Sequence, residues 1–242
     1  MRMTLNLPPK PTRCLAVLVR HPEQGKVKTR LAKAYGNPFA AELYGYFVED
    51  LLEALSSGNY HLELFFTPAE REMEIRQRFG VRFCYSPQEG EGLGDRMEKA
   101  FRSCFAKGFT ATLLIGSDCP DLTVEAIEHA FRTLEKGQDA VVGPALDGGY
   151  YLIGFRSATF DPAVFNGMPW GENTVFEKTV DLLHARGYRV HLAPAWHDID
   201  TEKDLADLQA KHGNTTFSRS RTMAFLRNYP TPRAGYRPSP SD

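Results

Sequence analysis

TLLIGSDCPDLTVEAIEHAFRTLEKGQDAVVGPALDGGYYLIGF, residues 112–155, contains two short apolar runs with an amphipathic segment between them. The runs, 113–115 and 140–142, are too short for helices, and polar, glycine-bearing sequence follows each of them. Apolar residues of the intervening segment recur at helical spacing after Thr123, a residue type that caps helix N-termini. This strand–helix–strand pattern is typical of a βαβ unit, so the sequence predicts an α/β protein with a parallel sheet.

Polar residues follow both predicted strands. Asp118 comes directly after the first strand, and the Asp-Gly-Gly-Tyr motif at 147–150 follows the second. Ligands of open α/β sheets bind at the carboxyl edge of the strands. Asp118 is therefore suited to hold a divalent ion that carries phosphates, because Mg²⁺ and Mn²⁺ prefer oxygen ligands. The alternative is that this carboxylate only accepts hydrogen bonds from loop amides.

Composition restricts the class of protein. The 242 residues include 42% hydrophobic and 24% charged residues, with a formal net charge of −1, as in a soluble globular domain. The four cysteines are widely spaced, which argues against a zinc knuckle or a disulfide scaffold. No apolar run approaches the ~20 residues of a membrane span, and the N-terminus lacks a signal-peptide core. We expect a cytoplasmic protein without a nucleic-acid partner.

Outside the central stretch, the pattern predicts further elements and two terminal segments. Strands are predicted at 14–19, 62–66, 81–85 and 188–192, and helices at 39–55, 68–79 and 174–183. Residues 1–12 are expected to be a loose arm, 13–213 the domain, and 214–242 a basic tail. The tail carries five arginines and one acidic residue, and most tails of this composition are disordered.

Two loops have the composition of phosphate-binding loops. Residues 20–31 follow the first strand and carry four cations and Gly25, which suits phosphate oxygens, although a solvated basic loop is the alternative. Residues 88–97 are glycine-rich and precede a helix, so they either approach a ligand or form a flexible surface loop. The first loop is not a Walker A motif. No GxGxxG follows the first strand, and this absence disfavours a dinucleotide-dependent oxidoreductase.

Other candidates lie closer to the C-terminus. Tyr150 and Tyr151 can stack on a base or sugar, although strand alternation places at least one of them in the core. Trp170 and Glu172 can contact a substrate from the loop before the helix at 174–183. The alternative is that Trp170 only packs. Asp198 and Asp200 lie one alternation apart, and one of them can join Asp118 on a metal.

Four motifs, in this order, resemble a known bacterial family. They are GxxKTRL at 25–31, the loop at 88–96, GSDCPDL at 116–122 and PALDGGYYLIG at 144–154. The family is the DUF2064 group of glycosyltransferase-like proteins, also labelled radical-SAM/selenodomain-associated transferases, in the nucleotide-diphospho-sugar transferase superfamily. The chain is more distantly similar to the molybdenum-cofactor and 2-phospholactate nucleotidyltransferases.

The resemblance implies a GT-A fold, in which a three-layer α/β/α sandwich surrounds a mostly parallel mixed sheet. It also implies a metal-dependent transferase with a nucleotide sugar as donor and a small-molecule acceptor. The alternatives are a nucleotidyltransferase and a nucleotide-binding protein without turnover. Segment 199–205 is similar to the NTPEDL end-motif of nucleotidyltransferases, which places Asp200 beside a metal.

Residues and resemblance together give one predicted site, with Mg²⁺ or Mn²⁺ as its cofactor. The catalytic candidates are Asp118, Lys28, Asp147 and Glu172. Nucleotide or phosphate contacts are expected from Gly25, Lys28, Arg30, Gly90, Gly94, Arg96 and Ser117. The acceptor side is expected to comprise Gly148, Gly149, Tyr150 and Trp170. The metal ligands are expected to be Asp118 and Asp200.

Overall fold

The protein is described by a computed structural model that covers residues 12–229. Within these residues the chain forms one seven-stranded mixed sheet with helices on both faces, which confirms the predicted three-layer α/β/α fold. The strands are β1 (Arg13–Arg20), β2 (His61–Thr67), β3 (Cys84–Pro87), β4 (Ala111–Ile115), β5 (Ala140–Pro144), β6 (Tyr150–Arg156) and β7 (Val190–Leu192). The helices are α1 (Thr29–Tyr35), α2 (Asn37–Leu55), α3 (Glu72–Phe79), α4 (Leu93–Ala106), α5 (Val124–Glu135), α6 (Val175–Ala185), α7 (Glu202–His212) and α8 (Arg221–Asn228).

The strand order is β3-β2-β1-β4-β6-β5-β7, and β6 runs antiparallel to both of its neighbours. The remaining pairs are parallel. The predicted unit of β4, α5 and β5 is present, and Thr123 caps α5 through its side chain. However, β5 does not pair with β4, because the turn at 147–149 folds β6 back between them.

Side chains of β1 alternate between the two faces of the sheet. Leu15 and Val17 pack in the cluster beneath α2, α3 and α5, whereas Cys14 and Ala16 pack beneath α4 and α6. Burying each large aliphatic side chain contributes roughly 1.5–3 kcal/mol. A third apolar cluster joins α2 to α7 and α8. This packing fixes the carboxyl ends of β1 and β4 side by side.

Two expectations need correction. The strand expected at 81–85 is β3, three residues later, and Val81 is 83% exposed before it. Residues 214–229 are not disordered, because Met223 and Leu226 of α8 are buried against α2. The remaining tail and nearly all of the predicted arm, residues 230–242 and 1–11, lie outside the described residues. Between 12 and 229, every helix is too short or too polar to cross a bilayer.

Candidate functional site

A cleft of about 850 Å³ opens at the carboxyl ends of β1 and β4. Loops that are distant in the chain meet there and bring most of the predicted residues together. The predicted residues that line the cleft are Lys28, Arg30, Arg96, Ser117, Asp118, Asp147, Gly149, Tyr150, Trp170, Glu172 and Asp200. The other four, Gly25, Gly90, Gly94 and Gly148, do not line it.

Lys28 lies at the centre of the cleft. Its Nζ donates a hydrogen bond to Asp200 Oδ1 at 2.9 Å and also contacts Asp118 Oδ1. The lysine side chain is 3% exposed, whereas the side chains of Asp118 and Asp200 are 43% and 39% exposed. Burial would lower the pKa of Lys28, but the two carboxylates outweigh it and raise that pKa above its usual range. The ammonium therefore remains charged at neutral pH.

The backbone at Lys28 is left-handed, with φ 45° and ψ 46°. Among the described residues, it is the only non-glycine residue with a positive φ. Such a conformation costs on the order of 1–3 kcal/mol and persists only where surrounding contacts impose it. Here the Lys28 carbonyl accepts the N–H of Ala32 in α1. The bend turns the ammonium from an otherwise exposed loop toward the two aspartates.

The donor set suits a hard divalent cation. Asp118 and Asp200 offer carboxylate oxygens that face the cleft, and these are the ligands that Mg²⁺ and Mn²⁺ prefer. In the described residues, however, neither aspartate belongs to a group of three carboxylate, imidazole or thiol ligand atoms that all lie within 4.8 Å of one another. A cation held here would complete its shell with water or ligand phosphate, and it would compete with the Lys28 ammonium.

Asp198 is a further carboxylate that lines the cleft, in addition to the two predicted metal ligands. Burial and the charge of Asp118 raise the pKa of Asp198 to about 6, against the stabilising hydrogen bond from the Cys119 thiol at 2.9 Å. Burial and the same contact raise the pKa of the Cys119 thiol well above its usual range. The sequence offered Asp198 only as an alternative to Asp200. Its burial could not be read from their spacing.

Ser117 was predicted to contact phosphate, but its hydroxyl already has a protein partner. Ser117 Oγ lies 2.8 Å from the hydroxyl oxygen of Tyr44, which accepts the N–H of Arg20 at 3.0 Å. Burial and the charge of Asp118 raise the pKa of Tyr44 to about 12. These bonds tie α2 to the ends of β1 and β4. Sequence reasoning missed Tyr44, because in the sequence it reads as one more core position of an amphipathic helix.

The first loop adds exposed positive charge to the rim. The side chains of Arg20, Lys26 and Arg30 are exposed and line the cleft. Within residues 12–229, neither Lys26 nor Arg30 forms an ion pair through its side chain, so both cations are free for an anion. Gly25 makes the turn that precedes them, with φ 75°. Exposed cations around a buried ammonium are a suitable environment for phosphate oxygens.

Packing within the chain explains why glycine occurs at two of the positions that were predicted to contact a ligand. A Cβ at Gly94 would lie 2.7 Å from the carbonyl oxygen of Phe165, and a Cβ at Gly148 would lie 2.1 Å from that of Asn173. Gly148 also has φ 91°, which only glycine adopts readily. Both glycines therefore let two backbone segments approach each other, away from the cleft lining. Gly90 instead accepts a hydrogen bond from Arg96 Nε through its carbonyl oxygen.

Aromatic rings form another part of the lining. Tyr150 and Trp170 meet edge to face with their centroids 6.3 Å apart. Glu172 follows Trp170 by two residues and is exposed, and its carboxylate accepts a 3.5 Å hydrogen bond from the Thr174 hydroxyl. Asp147 accepts the N–H of Gly149 at 2.9 Å. The lining therefore combines aromatic surface with carboxylates that remain reachable from solvent.

A family profile described as "Uncharacterized protein conserved in bacteria (DUF2064)" matches residues 51–172. Among solved structures, the chain is 40% identical to a "putative nucleotide-diphospho-sugar transferase" from Desulfovibrio desulfuricans G20, with a TM-score of 0.87. That match covers 90% of this chain and 94% of the other. No curated protein is similar enough in sequence to count as a match.

More remote structures share the fold. A 4-diphosphocytidyl-2C-methyl-D-erythritol synthase from Anaerococcus prevotii DSM 20548 has a TM-score of 0.55 at 10% identity, covering 84% of this chain and 97% of that one. A cytidylyltransferase from Leptospira borgpetersenii serovar Hardjo-bovis (strain JB197) has a TM-score of 0.52 at 12% identity, with coverages of 93% and 99%. At these identities the likeness concerns the architecture of the sheet and helices alone.

Proposed function

The chain belongs to the DUF2064 family, and we propose from this membership and from the cleft that it is a transferase acting on an activated nucleotide. The observation that carries the proposal is the buried Lys28 ammonium between Asp118 and Asp200, surrounded by the exposed cations of the first loop. A nucleotide presents the matching chemistry, because its phosphates need cations. A cytoplasmic location is part of the same proposal.

The protein contributes mainly position and charge in this proposal. Lys28 and Arg30 bind phosphate oxygens, and Arg96 contacts the nucleotide from the start of α4. Asp118 and Asp200 would hold Mg²⁺ or Mn²⁺, which supplies positive charge against the phosphates when bound. Fixed positive charges stabilise negative charge that develops on a leaving or transferring phosphate group. No larger rearrangement of the chain is needed, since these residues already share one cleft.

We propose a nucleotide sugar as the donor and a small molecule as the acceptor. The aromatic lining at Tyr150 and Trp170 supports this choice, because sugar rings and planar bases both stack on aromatic side chains. Glu172 or Asp147 would accept the acceptor's proton as it attacks. Both carboxylates are exposed at the cleft, where an acceptor can reach them.

Nucleotidyl transfer is the second candidate. The first loop offers the positive charge of Arg20, Lys26 and Arg30 beside Lys28, whose own charge is compensated by Asp118 and Asp200. A triphosphate would use this positive charge. In that case an acceptor phosphate or hydroxyl would attack the α-phosphorus in line, and pyrophosphate would leave.

Replacing Asp118 by Ala tests the proposal. We expect divalent-dependent binding of nucleotide to disappear in calorimetry with Mn²⁺, because one of the two expected metal ligands is lost. Asp207→Ala is a matched control, since Asp207 is exposed on α7 and its one ion pair within residues 12–229 is with Lys203. Unchanged nucleotide affinity in Asp118→Ala would contradict the proposal.

The released product distinguishes the two chemistries. Wild-type protein is incubated with Mn²⁺, candidate acceptors, and either nucleotide sugars or nucleoside triphosphates, and the mixture is followed by mass spectrometry. Release of a nucleoside diphosphate identifies glycosyl transfer, whereas release of pyrophosphate identifies nucleotidyl transfer. Binding without any product would instead identify a nucleotide-binding protein without turnover.

A further inference from the structure

A second cluster of ligand-type side chains lies beneath α4, outside the cleft lining. Cys14 of β1, Glu63 of β2 and Cys104 of α4 are at most 1% exposed, and one ligand atom of each lies within 4.8 Å of the others. The two sulfur atoms are 3.5 Å apart and both cysteines are free. Tetrahedral zinc with Zn–S bonds of about 2.3 Å separates two thiolates by ~3.8 Å. The observed spacing is close to that value.

Strand register brings a fourth ligand-type residue to this cluster. His61 pairs with Cys14 across β1 and β2, and Glu63 follows two residues later, so these side chains share the α4 face of the sheet. His61 Nε2 lies 3.4 Å from Glu63 Oε2, at the edge of the cluster and outside the mutual 4.8 Å spacing of the other three ligand atoms. The His61 side chain is 25% exposed, which leaves the cluster an opening toward solvent.

Glu63 has a free ligand atom. Its Oε1 accepts hydrogen bonds from Ser86 Oγ at 2.6 Å and from Lys107 Nζ. Its Oε2 is buried and accepts no hydrogen bond among the described residues, although His61 Nε2 lies 3.4 Å away. A buried carboxylate oxygen without a donor is destabilising, and each such atom in a native protein calls for an explanation. A bound cation would satisfy it.

The charges of the cluster balance with a divalent cation. The Lys107 ammonium contacts Glu63 Oε1, so this ion pair compensates the charge of the buried carboxylate. The Cys14 thiol contacts Cys104 Sγ at 3.5 Å, and without a cation both cysteines are free thiols. Two thiolates, one carboxylate, the Lys107 ammonium and one divalent cation sum to zero charge. A buried site requires such compensation.

We propose that Cys14, Cys104, Glu63 and His61 bind a thiophilic divalent cation such as Zn²⁺. Binding replaces the two thiol protons, which pass to solvent, so the affinity rises about 100-fold for each pH unit. The cation would tie β1, β2 and α4 together. This site does not depend on the proposed transferase function.

Titration with Co²⁺ alone tests the site. The full chain is stripped of metal with a chelator, reduced, and titrated without oxygen. We expect a thiolate-to-cobalt charge-transfer band in the near ultraviolet that saturates at one equivalent and disappears when Zn²⁺ is added. Cys14→Ser and Cys104→Ser should lose the band. Cys119→Ser should keep it, because Cys119 is an equally buried thiol that contacts Asp198 in the cleft.

A surface-accessible variant guards against loss of folding in the thiol variants. His61→Ala keeps both thiols, and we expect it to weaken Co²⁺ binding about 10-fold or more while the circular dichroism spectrum is unchanged. Absence of the band in wild type would overturn the proposal, as would its survival in both thiol variants. An intact mass lower by two hydrogens, which indicates a Cys14–Cys104 disulfide in the native protein, would also overturn it.

Discussion

Lys28 combines three properties that are rarely found together in one lysine. Its side chain is buried, its backbone is left-handed, and its ammonium contacts two carboxylates that remain partly open to the cleft. A buried ammonium is tolerated only when opposite charges compensate it. The Lys28 ammonium holds the carboxylates of Asp118 and Asp200 on either side of it. Lys28 therefore holds the acidic pair together.

Replacing Lys28 by Met should destabilise the protein and make it respond more strongly to divalent cations. Without the ammonium, Asp118 and Asp200 repel each other, so we expect a lower melting temperature that Mn²⁺ restores in part. The wild type should gain less from Mn²⁺ alone, because its lysine competes for the same oxygens. Thermal melts with and without Mn²⁺ measure this difference.

Arg30→Met is the matched control for that experiment. Arg30 lines the same cleft but is exposed and forms no ion pair within the described residues. Its melting temperature and Mn²⁺ response should resemble those of the wild type. If Lys28→Met behaves in the same way as Arg30→Met, the ammonium does not govern the acidic pair.

At this scale the sequence predicted residues that directly follow strands. Asp118 could be chosen because it lies just beyond an apolar run, and Lys28 because its loop carries four cations and matches the GxxKTRL motif of the family. Tyr44 and Asp198 reach the site from a helix and from a segment far along the chain, and their burial depends on tertiary packing. No local pattern reports such packing. The predicted glycines at 94 and 148 likewise reflect close contacts within the chain that sequence spacing does not distinguish from contacts with a ligand.

At the scale of elements, one carboxylate of α2 anchors α8. Asp50 accepts the backbone N–H of Arg221 at 2.9 Å and that of Thr222 at 2.7 Å. These are two of the N–H groups that a helix leaves unsatisfied at its first turn. Because α8 has only eight residues, it would be unstable alone and depends on this contact and on its apolar face.

Asp50→Ala should therefore release α8 from α2. Loss of both acceptors leaves buried N–H groups unpaired, at a cost of about 1–3 kcal/mol. We expect faster amide hydrogen exchange across residues 221–228, measured by mass spectrometry. Glu53→Ala is the control, since the Glu53 side chain is 64% exposed and, among the described residues, its ion pair is with the Arg221 side chain. Equal exchange in both variants would show that the apolar face alone holds α8.

Glu63 connects β2 to β3 and to the end of α4 through Ser86 and Lys107. Burial would raise the pKa of Glu63, but the contacts with His61, Lys107 and Ser86 outweigh it and hold the folded-state pKa at about 2, below the ordinary value. The ionised Glu63 therefore contributes stability that is present above about pH 5 and is lost as the pH falls toward 2. The full contribution is about 3 kcal/mol, an order-of-magnitude value.

Glu63→Gln should flatten that dependence. Urea denaturation of metal-free protein between pH 5 and 3 should show a steeper loss of stability in the wild type than in the variant. Glu89→Gln serves as the control, because Glu89 is exposed and its replacement should leave the wild-type slope unchanged. Parallel slopes in all three proteins would show that Glu63 titrates as it does in the unfolded chain.

For the whole molecule, the layers could be predicted but not the strand order. Apolar runs and helical spacing identify the elements, because these patterns depend on neighbouring residues. The insertion of β6 between β4 and β5 depends on which strand edges are free after folding. The docking of α8 depends on Asp50, 171 residues earlier than its partner Arg221. Composition instead favoured disorder for this segment.

The same architecture makes ligand binding measurable as global stability. All the cleft residues lie on segments joined through one sheet, so a nucleotide that binds only the folded protein stabilises the whole cooperative unit. A ligand at about 100 times its dissociation constant adds roughly 2.7 kcal/mol. For a chain of this size, each kcal/mol raises the melting temperature by about 2–4 °C. We therefore expect a shift of roughly 5–10 °C with the right nucleotide.

The screen compares nucleoside triphosphates with nucleotide sugars, each with and without Mn²⁺. We expect one class to raise the melting temperature more than the other, and Mn²⁺ to enlarge that shift, because the cation links Asp118 and Asp200 to the phosphates. In Asp118→Ala the enlargement by Mn²⁺ should vanish while any shift from base or sugar contacts remains. If neither class shifts the wild type at millimolar concentration, a nucleotide is not the ligand, since the exposed cations of the first loop would then have failed to bind the phosphates they are proposed to hold.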